Sequence, residues 1–144
     1  MGRTLIAQAD SRQRVVQAVL GLIGLGYALA ALALLLAPVW FFQNIGPYSP
    51  FNRHYEGDAG AFLLALGGGL LVAARDPARH AALIGVAAWG SVLHAANHIY
   101  DSLASGASIG HWFTDTLPLV AAGLVLVAVW LPLVRREPPR SQGR

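Results

Sequence analysis

The chain has 144 residues, 56% of them hydrophobic and only 12% charged, and no cysteine. Soluble domains carry about 25% charged residues, so this surface is not built for water. The lack of cysteine excludes disulfides, thiolate metal sites and iron–sulfur clusters. The net charge is +3, but the arginines flank apolar runs instead of forming a basic stripe with interleaved aromatics, which argues against nucleic acid as a partner.

Four apolar runs explain the composition: Val15–Ala37, Ala59–Ala74, Ala81–Ile99 and Trp112–Val134. A bilayer span needs about 20 mainly apolar residues. The second run reaches that length only if His54 to Asp58 belong to the same helix. The spans are therefore expected at about 15–37, 54–74, 80–100 and 111–134. The first follows Arg12 and Arg14, as a signal peptide would. It is, however, longer than the roughly 7–15 residues of a signal core, and it runs on into Pro38, Trp40, Phe41 and Phe42, which suit an interfacial aromatic belt. It reads as a retained membrane helix. The fold class expected is all-α: an integral membrane four-helix bundle with short loops, its partner the lipid bilayer.

Charge sorts the connecting segments. Arg3, Arg12 and Arg14 precede the first span, Arg75 and Arg79 lie between the second and third, and Arg135, Arg136, Arg140 and Arg144 follow the fourth. The other two loops contain only Arg53. Positive residues stay cytoplasmic, so both termini are expected inside, in a multi-pass protein of the cell membrane. Residues 1–14 form a cytoplasmic segment and 135–144 a disordered tail. Asp76-Pro77 is a tight inner turn. Small residues suit close helix packing: Gly21, Gly24 and Gly26 on the first span, Gly67, Gly68 and Gly69 on the second, and Ala87, Ser91 and Ala95 at i, i+4, i+8 on the third.

Against this background the polar residues stand out. His94, Asn97, His98 and Asp101 fall within an arc of about 100° on one helix face. Ionisable side chains inside a membrane segment usually face a bundle interior or a wet cavity and mark function. His54 and Asp58 are i, i+4 neighbours on the second span, and so are His111 and Asp115 on the fourth. Three spans thus bring imidazole and carboxylate to one expected depth, near the outer surface. The bland alternative is interfacial histidines, first-turn acids favoured by the helix dipole and a local His98–Asp101 salt bridge.

Imidazole and carboxylate together bind divalent transition metals. In that reading His94 and His98 are the first ligands, at His-x-x-x-His spacing. His54, His111, Asp58 or Asp115 complete the shell, Asn97 and Asp101 bind ligand or fix the His tautomer, and Glu56 is a candidate general base. Haem needs one or two axial histidines, and His94 or His98 would serve. A quinone site would use His, Asp, Tyr55, Tyr100 and Trp112. Arg53 and Tyr55 join the candidate ligand-binding residues. A Ser91–His94–Asp101 triad lacks any nucleophile elbow, and Gly67–Gly69 is no phosphate loop.

The segment Phe51-Asn52-Arg53-His54-Tyr55-Glu56-Gly57-Asp58-Ala59-Gly60-Ala61-Phe62, with His94-Ala95-Ala96-Asn97-His98 and Asp101, resembles a group of small uncharacterised bacterial four-span proteins. Their span layout is similar to that of the DoxX-like membrane proteins. The resemblance implies a four-helix membrane bundle. The early Arg…Gly pattern of DoxX members is absent here, so their redox-associated role is not carried over.

Two functional classes follow. The first is a ligand or metal site in a polar pocket on the outer side, with or without catalysis. The second is a non-catalytic subunit whose polar cluster is a hydrogen-bonded plug or a contact for a membrane protein partner or a second copy. A haem or quinone redox module is a further alternative.

Overall fold

The computed structural model describes residues 2–135, with side chains from Asp10 onward. Met1, the side chains of residues 2–9 and residues 136–144 of the expected cytoplasmic tail lie outside the described part. The described residues are all-helical, with four helices long and apolar enough to cross a bilayer. The chain is a multi-pass membrane protein. It divides into two helical units, one ending at Arg75 and one starting at Asp76.

In the first unit, α1 runs Gly2–Leu36. It stops because Ala37 precedes a proline, whose ring drives the preceding residue out of the helical region; Ala37 has φ −136° and ψ 54°. Pro38 then opens the short helix α2, Pro38–Asn44, at a position where its missing N–H costs nothing. An edge-to-face contact between Phe42 and Phe51, 5.3 Å between centroids, closes the following loop. Asn52 caps α3, Arg53–Ala73, its side chain accepting from the backbone N–H groups of His54 and Tyr55.

Glycine sets the α1–α3 contact. A Cβ on Gly67 would lie 2.8 Å from Ala28 N and 2.9 Å from Gly24 O, and one on Gly24 would lie 3.0 Å from Gly67 O. Gly60 meets Leu34, Leu35 and Ala31 in the same way. Gly21, Gly26, Gly68 and Gly69 have no such neighbour, so only Gly24 and Gly67 of the six expected glycines bring the backbones together. The opposite side of α1 exposes Leu22, Leu25, Leu29, Leu32 and Leu36. In water this stripe would be a liability; in a bilayer it is solvated by lipid. Trp40, Tyr48 and Phe51 are exposed between the two long helices, as an interfacial belt requires.

In the second unit, Asp76 organises the entry turn: its carboxylate accepts from Arg79 N and its carbonyl from His80 N. Helix α4 runs Ala81–Ala104 and buries Ile84, Ala87, Ala88, Ser91, Ala95 and Ser102. The expected small-residue stripe Ala87, Ser91, Ala95 is thus on the packed face. Gly106, at φ +63°, ends the helix in the left-handed conformation, and Ala107 N closes back on Ser102 O. Ser108 then caps the one-turn helix α5, Ile109–His111.

A π-helical turn, Trp112–Thr116, joins α5 to α6, Leu117–Val134. Pro118 accounts for it. Proline has no N–H to give to the carbonyl four residues back, and its ring collides with that carbonyl. The backbone widens instead, and Leu117 N bonds to Trp112 O, five residues back. Helices α4 and α6 pack where Gly123 lies against Ser91 and Val92, and where Trp130 covers Gly85, its indole Nε1 2.6 Å from where a Cβ would stand.

Candidate functional site

The polar side chains of the second unit gather where the C-terminal half of α4 meets the π turn. His98 Nδ1 lies 2.6 Å from Asp115 Oδ2, and both side chains are largely covered, at 12% and 17% exposure. The same Asp115 oxygen lies 3.4 Å from His111 Nε2, one turn back. His94 packs edge-on against His98, ring centroids 4.5 Å apart at 70°. An ionised carboxylate only accepts hydrogen bonds, so His98 donates through Nδ1, and a neutral His98 then keeps its lone pair on Nε2.

The backbone explains the convergence. His94 and His98 are one turn apart on α4, and α4 packs against the π turn. The wide turn carries Asp115 toward α4 while its i, i+4 relation to His111 is retained. Thr116, the next residue, is buried and shares a 2.7 Å hydrogen bond with buried Ser102. Sequence reasoning passed over these two hydroxyls. The available signal was that Ser102 follows His98 by four residues and so shares its face.

Several expected pairings change. Asp101 does not pair with His98; its Oδ2 accepts from Asn97 Nδ2 at 3.0 Å on the exposed side of α4. His94 is exposed, and its ring contact is with His98. Ser91 Oγ is buried and donates to Ala87 O at 2.7 Å, the helix-internal bond usual for serine, which leaves no Ser91–His94–Asp101 triad.

In the first unit, His54 Nε2 and Asp58 Oδ2 do approach, at 3.5 Å, but their side chains are 88% and 60% exposed. Such a pair contributes roughly 0–1 kcal/mol. Arg53 Nη2 donates to Leu35 O at 3.2 Å and ties α3 to the end of α1. Tyr55 and Tyr100 point outward, 70% and 69% exposed. Glu56 is buried, 8% exposed, and its side chain makes no hydrogen bond or ion pair among the described residues.

The expected metal set is not assembled. Among the described residues no group of three or more His, Asp or Glu side chains is arranged to hold a metal ion. The reason is visible in the second unit. His98 and His111 converge on Asp115 Oδ2, so a carboxylate oxygen occupies the point a cation would need. His94 and His98 stack edge-to-face instead of aiming two lone pairs at one position about 2 Å away.

A family model matches residues 10–142 and is described as a family of unknown function, DUF6632. No curated protein matches the chain, and no solved structure does. The chain belongs to the DUF6632 family.

Proposed function

We propose that this DUF6632 protein is a membrane protein that binds a small hydrogen-bonding ligand at the imidazole–carboxylate cluster of α4 and the π turn. The observation that carries this reading is the 2.6 Å contact between His98 and Asp115. A charged carboxylate is costly within a membrane segment and is kept where it serves a site, and π turns recur at functional sites. Asp115 fixes the ring orientation of His98 and His111. His94 and Asn97, both exposed beside them, are the first groups a ligand meets. Within the same reading both termini face the cytoplasm, which the arginine distribution supports, and the span layout follows the DoxX-like pattern.

The test is a titration of the full chain in mild detergent, separately with a short-chain naphthoquinone and with a short-chain ubiquinone. Ring ¹⁵N NMR of the histidines is the readout. One ligand is expected to shift His94 and His98 saturably, and Asp115→Asn is expected to abolish the shift. If neither probe moves the ring nitrogens, the binding site is rejected. A second reading, a structural clasp, is favoured by the Ser102–Thr116 bond beside the cluster. It predicts that Asp115→Asn lowers stability and that the wild type binds neither probe.

A further inference from the structure

Gln17 is a polar intrusion that the imidazole cluster does not explain. It lies inside the apolar run that begins at Val15, where an amide is costly unless it is hydrogen-bonded. Its Nε2 donates to the carbonyl of Arg75, 3.1 Å away, just beyond the end of α3. The N–H of Arg75 donates in turn to Val72 O. Both backbone groups of Arg75 are thus held, and its exposed side chain starts from a fixed point beside α1.

Arg14 precedes Gln17 by one turn, on the same side of α1, and is also exposed. Two arginines from two packed helices therefore stand at the same end of the first unit, where the apolar run begins. Among the described residues neither guanidinium makes an ion pair or a hydrogen bond, although Asp10 and Asp76 are near in sequence. Topology asks for positive charge near a span end. It does not ask for an amide inside the span to fix one of the arginines. Beyond Arg14 the same side of α1 is open and apolar: Ala18, Leu22, Leu25 and Leu29 follow it at helical spacing, all exposed.

We propose that Arg14 and Arg75 seat the phosphate of an anionic phospholipid, with one acyl chain along the leucine stripe of α1. A guanidinium presents paired N–H donors that match two phosphate oxygens, and each arginine at a membrane surface adds to the attraction for anionic lipid. Inorganic phosphate offers the same oxygens but gains nothing from Leu22, Leu25 and Leu29. A phosphatidylcholine headgroup carries its own cation, which offsets the phosphate charge the arginines recognise. The site belongs to the first unit and is independent of the imidazole cluster in the second.

The experiment is native mass spectrometry of the full chain in mild detergent with phosphatidylglycerol, with phosphatidylcholine of the same acyl chains, and with inorganic phosphate as competitor. The wild type is expected to retain phosphatidylglycerol over phosphatidylcholine, and a large excess of inorganic phosphate is expected not to displace it. Arg14→Gln and Arg75→Gln are each expected to weaken phosphatidylglycerol binding about fivefold, the contribution of one arginine near a membrane surface. Gln17→Leu is expected to weaken it as well, although net charge is unchanged. Arg12→Gln removes the same charge as Arg14→Gln, but from a position rotated by about 200° around α1, and is expected to leave binding unaltered. Equal retention of the two lipids, displacement by inorganic phosphate, unaltered binding in Gln17→Leu, or a loss in Arg12→Gln as large as in Arg14→Gln overturns the proposal. The three arginines are exposed, so their variants are expected to keep the wild-type helix content, which circular dichroism checks.

Discussion

Ser102 and Thr116 share a buried 2.7 Å hydrogen bond that joins α4 to the π turn. It sits next to the His98–Asp115 contact on both sides of the junction: one turn beyond His98 on α4 and one residue beyond Asp115 in the π turn. One hydroxyl donates, the other accepts, and both residues are buried.

Removing one partner strands the other. Thr116→Val is expected to destabilise the second unit by about 1–2 kcal/mol, because the Ser102 hydroxyl loses its partner while staying buried. The double variant Ser102→Ala, Thr116→Val is expected to recover part of that loss. A double-mutant cycle by detergent unfolding measures it. Additive losses in the cycle would show that the two hydroxyls do not act as a pair.

The α1–α3 contact makes a second prediction by contrast. A methyl on Gly67 meets the backbone at Ala28 N and Gly24 O, which cannot swing aside, whereas Gly68 has nothing within 4 Å. Gly67→Ala is expected to cost about 1–3 kcal/mol. Gly68→Ala is expected to be neutral or slightly stabilising, since alanine is the better helix former. Thermal unfolding of the two variants side by side checks the difference. Equal effects would contradict the close approach at Gly67.

How much of this was legible in the sequence follows the range of the interactions. The four apolar helices were readable because hydropathy is a local property that a window of residues reports. His54–Asp58 and His111–Asp115 were readable because helical spacing alone brings them together. His98–Asp115 was not. Its geometry depends on how α4 packs and on a π turn provoked by Pro118, and the local rule pointed instead to Asp101, which the structure gives to Asn97. The burial of Glu56 was hidden for a related reason. A first-turn acid looks like a dipole partner, and only the packing of α1 and α3 shows that it is enclosed.

Topology is open to direct measurement, because the chain has no cysteine and single cysteines report cleanly. Arg79→Cys, in the arginine-bearing link, is expected to react with an impermeant maleimide only from the cytoplasmic side. Ser105→Cys, beyond the end of α4, is expected to react only from the opposite side. The reverse labelling would overturn the inside placement of both termini.

Pro118 supplies the sharpest test of how the site is built. Its missing N–H and its ring are the causes of the wide turn, and Leu117 N bonds to Trp112 O in place of the ordinary partner one residue nearer. Pro118→Ala restores a donor to the carbonyl of Thr114 and removes the collision. The turn is then expected to close to α-helical geometry. Each residue of an α-helix is rotated by about 100° from the last, so closing the π turn to α-helical register swings Asp115 relative to α4. The 2.6 Å contact with His98 is expected to be lost while overall helix content stays the same. Ring ¹⁵N NMR reads the outcome: the hydrogen-bonded Nδ1–H signature of His98 disappears in Pro118→Ala as it does in Asp115→Ala. Its persistence in Pro118→Ala would mean that the packing of α4 against α6, and not the proline, holds Asp115 in place.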